Sequence, residues 1–482
     1  MLSLLGYLTV AVILALLLTN RVAAVVALAG VPLAAALAAG FGPDEIGGFV
    51  KDGLGGVVGT TTMFVFAIVY FGLMRDAGMF DPIIARIVRF AGSAPVTVCV
   101  GTAVLAMAAH LDGAGATTFL ITIPAMLPLF DRLGMSRLVL TTCVGLGAGV
   151  MNLLPWGGPT ARAATTVKVD ANELWVPLIP AQLTGMVAVV VIAWWLGRRE
   201  ARRLATEDVT TAEVDTETVA TEQRTPLAVG ARTADGPTGP TGRDAGAPAG
   251  DRERSGRPTH EAPDGDVDTE EDLRRPRLFW LDVGLTVLVV AALVSGIAPP
   301  EVCFLAGVVI ALVVNYPGLR RQTERIEAHA TGAMLMATTL LAAGVFLGIL
   351  EGTGMIDAMA TSAASLIPGG LAPGLPLLVG VLGVPLSLLF GPDAYYFGVM
   401  PVLIGVGEQF GVSGEAIARA SLLGEETTGF PISPLTGSFF LLVGLGGVQI
   451  GSHIRHLLKW AWLVSLVMLA VAVVTGAVPL WA

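Results

Sequence analysis

The sequence predicts an all-α integral membrane protein, an inverted-topology repeat of about 5+5 transmembrane helices with two re-entrant hairpins and two broken helices. Three observations predict it. The 482 residues are 54% hydrophobic and 14% charged, where soluble domains carry about 25% charge; mean hydropathy is +0.76. Apolar runs of about 16 to 24 residues recur along the chain, each able to cross ~30 Å of hydrocarbon. Finally, three patterns recur at a near-constant offset. FGLMRDAGMFD at 71–81 aligns with LGILEGTGMID at 347–357, Pro124 with Pro401, and Pro159 with Pro434.

The first repeat covers 1–197. Spans are expected near 2–19, 22–41 and 57–76, then an amphipathic surface helix near 80–90. The first run has no basic n-region or small-residue cleavage site, so it reads as a retained span. A hairpin follows at 95–134, with a tip, LDGAGATT, too polar to face lipid. The broken helix, 137–168, is interrupted at NLLPWGGPT, and the last span is 173–197.

Residues 198–277 are rich in Thr, Pro, Gly and charge. Such a stretch buries too little apolar surface to offset its ordering entropy, so a disordered cytoplasmic linker is expected, either a tether or a regulatory segment. The second repeat covers 278–482, with spans near 278–296, 298–315 and 328–351. Its hairpin is 372–411 with tip FGPDAYYFG, its broken helix 415–446 carries GFPISPLTGS, and its last span is 457–480.

Five crossings per half is an odd number, so the halves should point in opposite directions. The positive-inside rule agrees. Arg21, Arg75, Arg86, Arg89, Arg132, Arg137, Arg198, Arg199, Arg202 and Arg203 fall on one side, with Arg320, Arg321, Arg325, Arg455 and Lys459. The opposite loops hold Asp44, Glu45, Asp52, Glu351 and Asp357; Arg162 and Lys168 are exceptions. This places the chain in the cell membrane as a multi-pass protein, both termini outside and the linker cytoplasmic. Trp156, Trp175, Trp194, Trp195, Trp280, Trp460 and Trp481 lie near span ends, as an aromatic belt requires. Cys99, Cys143 and Cys303 sit in apolar spans and read as small buried hydrophobes. The net charge of −10 belongs in good part to the linker and indicates no partner; no nucleic acid is expected.

Interrupted helices at membrane depth survive only when buried in protein or lining a cavity. Two of them, at matching positions of inverted halves, point to a transport site. Freed amides at half-helix N-termini attract an anion, and freed carbonyls hold a cation. Gly113, Gly115, Gly157 and Gly158 allow the unwound backbone and its close approach to a substrate. Intramembrane carboxylates are costly to insert and need a role. Asp112 and Asp393, one at each tip, are candidates to bind a metal or a proton, with capping of the following helix as the alternative. Glu425 and Glu426 are candidates for proton coupling, unless one faces water, and His110 for proton relay, unless it is a satisfied structural histidine. Arg162 can pair with a substrate carboxylate or with one of the aspartates. Asn152, Thr117, Thr118, Thr160, Ser433 and Thr436 offer polar groups to substrate, and Tyr395 and Tyr396 can shape the pocket.

At these residues the chain becomes recognisable. AHLDGAGATTFLITIPAMLPLFDRLGM, GVMNLLPWGGPTARAA, LWVPLIPAQ, FGPDAYYFGVMPVL and LLVGLGGVQIG resemble the citrate–divalent metal:proton symporter family, CitMHS, of the ion transporter superfamily. The resemblance covers both membrane halves. It implies proton-driven uptake of citrate as a complex with a divalent cation of the Mg or Ca class, no permanently bound cofactor, and an elevator-like movement of hairpins and broken helices against a scaffold. Two departures stand out. Ala114 replaces the second acid of the family's LDGDGATT, and GEETTGFPISP stands where a GQ-containing stretch is usual. The same fold would also suit a metal-free di- or tricarboxylate or a gluconate-like sugar acid. The partners to expect are the carboxylate, metal and protons, the lipid bilayer and, as an open alternative, a second copy in a homodimer. An enzyme is not expected: the sequence holds no HExxH, no GxSxG and no Cys/His cluster. A channel is disfavoured by repeated broken helices around carboxylates.

Overall fold

The computed structural model describes residues 2–19, 21–222, 273–365 and 372–481, and all regular structure among them is helical. The chain divides into one unit, Met1–Leu204 with Leu273–Ala482, and another, Ala205–Asp272. The first half contains α1 (Leu2–Leu18), α2 (Val31–Ala38), α3 (Pro43–Asp76), α4 (Asp81–Ala91) and α5 (Pro95–Ala109). It continues with α6 (Gly115–Arg132), α7 (Arg137–Met151), α8 (Gly158–Val167), α9 (Ala171–Trp175) and α10 (Ile179–Glu222). The second half contains α11 (Phe279–Ser295), α12 (Pro300–Asn315), α13 (Leu319–Gly352), α14 (Met355–Ala364) and α15 (Leu375–Leu386). It ends with α16 (Met400–Gln409), α17 (Gly414–Leu422), α18 (Gly437–Gly446) and α19 (Ile450–Val474). Six helical stretches among the described residues are long and apolar enough to cross a membrane.

The repeat is visible element by element. α3 and α13 are each 34 residues, α1 and α11 each 17, and α8 and α18 each 10. The counterparts α3 and α13 pack on each other along glycines. Gly53 meets Gly344 and Gly348, Phe49 meets Gly348 and Gly352, and Gly72 meets His329. Numbers fall along α3 as they rise along α13, so the counterparts run antiparallel, as an inverted repeat requires. A Cβ at Gly53 would lie 2.1 Å from the Gly344 oxygen, and one at Gly348 2.2 Å from the Phe49 oxygen. Small residues replace a hydrophobic driving force between membrane helices by letting backbones touch. Gly348→Ala is therefore expected to destabilise the protein by about 1–3 kcal/mol, read as earlier thermal unfolding in detergent. Gly284→Ala on α11, where a Cβ meets nothing within 4 Å, is the control and should not lower stability.

Several boundaries differ from expectation. α3 starts at Pro43, not 57, because Pro43 opens the helix and Glu45 Oε2 accepts the Gly42 amide at 2.9 Å. Asp44, Glu45 and Asp52, read as loop residues, therefore ride on the helix. α13 likewise starts at Leu319 rather than 328, and α19 spans Ile450–Val474 rather than 457–480. The last span of the first half is jointed, with a 3-10 turn at Val176–Leu178 between α9 and α10. α10 continues past the expected linker start at 198 to Glu222, since RREARRLA is rich in helix formers. Of the rest of the expected linker, 223–272 lies outside the described residues and 273–277 leads into a 3-10 turn at Pro276–Leu278. Trp156 and Trp175, assigned to the aromatic belt, are buried; their indole N–H groups donate to Leu111 O and Gln182 Oε1, each at 2.8 Å.

Candidate functional site

Each interruption has a local cause. In the first broken helix, α7 ends at Met151 and α8 restarts at Gly158, followed by Pro159. Gly157 admits no side chain, since a Cβ would lie 2.4 Å from Asn152 O. Thr160 Oγ1 stitches the break by donating to Leu153 O at 3.0 Å. In the second, α17 ends at Leu422, Glu426 adopts left-handed backbone (φ 51°), a 3-10 turn spans Phe430–Ile432, and α18 restarts at Gly437. A non-glycine residue held there stores strain, which surrounding structure must over-determine. The first hairpin turns at Gly113 (φ 73°), and the second turns at Asp393 into a π-helical segment, Ala394–Val399.

The structure brings both breaks and both tips to one cavity of about 130 Å³. Its wall includes Gly113 and Gly115 of the first tip and Asn152, Gly158 and Arg162 of the first break. Pro392 of the second tip and Glu426 and Thr436 of the second break complete it. Three helices begin at this wall: α6 at Gly115, α8 at Gly158 and α18 at Gly437, whose neighbours Thr436 and Ser438 line the cavity. Three N-termini converging on one space direct free amides and the positive ends of three helix dipoles into it.

Polar contacts tie the two halves together there. Arg162 Nε donates to Asp393 Oδ1 at 2.6 Å and its Nη1 to Gly158 O at 3.0 Å. Of the two readings of Arg162, the internal ion pair is thus present. Asn152 Nδ2 donates to Glu426 O at 2.7 Å, holding the strained residue from the opposite half. Since that amide nitrogen is committed, Asn152 Oδ1 requires a donor, and His110 Nε2 lies 3.3 Å away. His110 Nδ1 faces Thr118 Oγ1 at 2.8 Å, and Thr118 Oγ1 is 2.9 Å from Ala114 O. Thr118 can donate to a neutral His110, or accept from a protonated one while donating to Ala114 O. His110 is fully buried and stacks on Phe430.

Asp112 fastens the tip turn rather than capping the helix that follows, whose N-cap position is Ala114 and carries no side-chain cap. Oδ1 accepts the Ala114 amide at 2.8 Å, while Oδ2 lies 3.8 Å from Arg75 Nη1. Arg75 also donates to Thr117 Oγ1 at 3.2 Å. A cavity of about 410 Å³ opens beside this tip, lined by Arg75, Asp112, Thr117 and His329, and one of about 300 Å³ lies beside Asp393. Glu425 and Glu426 are both buried, so neither faces water. Ser387 Oγ donates to Glu425 Oε2 at 3.0 Å and accepts the Glu426 amide at 2.9 Å. Glu425 Oε1, Glu426 Oε1 and Ser433 Oγ have no hydrogen-bond partner among the described residues. Ser433 approaches the Glu426 carboxylate without forming an aligned bond. Tyr395 and Tyr396 stand behind the second break rather than on the cavity wall, bonded to Ser421 Oγ and Glu425 O.

Sequence reasoning missed Arg75, Ser387 and His453. Arg75 counted only as a charge on one side of the membrane. His453 is buried in α19, with Nδ1 at 3.1 Å from Thr141 Oγ1 and Nε2 donating to Pro431 O at 2.9 Å. It steadies the second break. Starting the helix at Ile450 would have put His453 on its buried face.

A family model for citrate transporters, CitMHS, matches residues 3–424. The chain is 40% identical over 478 residues to "Citrate transporter" of Bacillus subtilis (strain 168), covering 99% of this chain and 100% of that protein. It is 38% identical over 478 residues to "Mg(2+)/citrate complex secondary transporter" of the same organism, covering 99% of each. Among solved structures it resembles the Alcanivorax borkumensis YdaH transporter, with a TM-score of 0.58 at 15% identity, over 92% of this chain and 91% of that one. At that identity the likeness concerns the fold alone.

Proposed function

From the premise that this chain belongs to the CitMHS citrate transporter family, we propose that it carries citrate as a complex with a Mg- or Ca-class cation, in symport with protons. The observation that carries this reading is the convergence of three helix N-termini and Arg162 on one cavity shared by both halves. Such a site suits a polycarboxylate. A metal already ligated by citrate asks few acids of the protein. Among the described residues no group of three His, Cys, Asp or Glu is placed to hold a metal ion. Asp112 and Asp393 then contact the metal side of the complex, and Arg75 with Thr117 the carboxylates near the first tip.

Glu425 and Glu426 are the proton carriers in this reading. Two adjacent buried carboxylates with unsatisfied oxygens call for a compensating proton or cation. The two repeats, 1–197 and 278–482, move substrate by displacement of hairpins and broken helices against the α3–α13 scaffold. Both termini lie outside and segment 198–277 in the cytoplasm.

The test is uptake of labelled citrate into proteoliposomes, with metal and pH gradient varied separately. Uptake should require Mg²⁺ or Ca²⁺ and follow an inward proton gradient; metal-independent uptake would favour a free carboxylate as cargo. Asp112→Asn and Asp393→Asn should each abolish coupled uptake with normal folding. Wild-type transport by both would refute the site. Arg75→Gln should act more mildly, raising the half-saturating citrate concentration about fivefold, because a partly exposed ion pair contributes only ~1 kcal/mol.

A further inference from the structure

A further cavity, of about 470 Å³, lies behind the first tip and the first break and is lined only by apolar side chains. One wall is the first hairpin, at Val104, Ala108 and Leu111; the other is α10, at Val187 and Val191; Met151 closes the end. Leu111 and Met151 immediately precede Asp112 and Asn152 in sequence. The groove therefore ends against the two residues that set the first tip and the first break.

Its long axis follows from packing. Gly197 of α10 lies against Pro95 and Val96, where a Cβ would come 2.6 Å from Val96 Cα. The hairpin thus begins beside Gly197, and its tip runs antiparallel to α10 toward the level of Met186. On α10 the residues Val187, Val191, Trp194 and Arg198 form one helical stripe, spaced four, three and four apart. Val187, Val191 and Trp194 are 62%, 55% and 43% exposed. At the end of the stripe the Arg198 guanidinium sits over the Trp194 ring, 4.8 Å from its centroid. Eleven residues of helix separate Val187 from Arg198, about 16 Å, close to the ~15 Å depth of one hydrocarbon leaflet.

We propose that this groove binds one anionic phospholipid. An acyl chain fills the apolar cavity up to Leu111 and Met151, and the headgroup phosphate meets Arg198 beside Trp194. Charge complementarity at one end, an apolar cavity at the other and an α10 stripe of about leaflet length joining them fit this occupant. The chain then buttresses the first hairpin tip, so transport depends on the lipid.

Native mass spectrometry of the full-length protein, released from nanodiscs of mixed phosphatidylglycerol and phosphatidylcholine, counts the lipids retained. The wild type should prefer phosphatidylglycerol. Arg198→Gln should lower that preference about fivefold, the attraction of one basic residue to an anionic headgroup, and Arg198→Lys should keep it. Val187→Trp, which fills the groove from its exposed side, should release lipid of either kind and remove the stimulation of uptake by phosphatidylglycerol. Val191→Trp provides the same test should Val187→Trp fold poorly. Equal retention of both lipids, unchanged by these variants, overturns the proposal. So does a dimer that Val187→Trp splits without loss of lipid, which would make the groove an interface between copies. Lipid retention is read without citrate, so it stands or falls separately from the transport assignment.

Discussion

Arg162→Gln is expected to abolish net citrate uptake at concentrations that saturate the wild type. Arg162 belongs to the first broken helix, yet its partner is Asp393 at the second tip, 2.6 Å away, with side chains only 11% and 25% exposed. The substitution removes the cation from the proposed citrate site and leaves Asp393 without its partner. Losing a charge-assisted hydrogen bond costs about 1.5–3 kcal/mol, so substrate affinity should fall at least tenfold, and thermal stability should fall too. Asp393→Asn in the Arg162→Gln background removes the stranded carboxylate. It should restore much of the stability without restoring uptake. Arg162→Lys should be intermediate, since an ammonium lacks the fork that serves Asp393 and Gly158 together. Wild-type uptake by Arg162→Gln would show that the contact between the halves is not needed for transport.

Glu426→Gln should separate transport from its driving force. Glu426 is buried, in left-handed backbone, held through its carbonyl by Asn152, and its Oε1 has no partner among the described residues. Glutamine imitates the protonated acid in shape and charge. Exchange of internal for external citrate should persist within about fivefold of wild type, as for a ~1 kcal/mol perturbation, whereas accumulation driven by a pH gradient should disappear. Glu425→Gln should produce a weaker form of the same defect, because Ser387 already donates to one of its oxygens. Accumulation that survives both substitutions would place proton coupling elsewhere, with His110 the next group to test.

Much of this architecture was legible in the sequence. Hydropathy and charge report how each segment suits lipid, and glycine and proline report where a helix must stop. Those are local properties, so the apolar segments, the repeat, the tips at Gly113 and Asp393, and the break after Met151 followed from them. The second broken helix instead stops at Leu422, ahead of the expected GFPISPLTGS, and puts Glu425 and Glu426 inside the break rather than before it. The ends of the long helices did not follow either. Polar turns of α3, α13 and α19 extend beyond the hydrocarbon, where hydropathy falls silent although caps and helix propensity continue.

What only the tertiary structure decided is which distant side chains meet. Asn152 holds Glu426, Arg162 holds Asp393, Arg75 faces Asp112, and His453 supports Pro431. A sequence marks each as a costly polar group needing a partner but cannot name that partner. The choice follows from the antiparallel packing of α3 on α13 and from the crossing of the two breaks, where Gly149 lies against Thr428. By itself the sequence determined a membrane-embedded inverted repeat with four interruptions. Their joining around one cavity came from packing, because charge pairing depends on distances that no local pattern encodes.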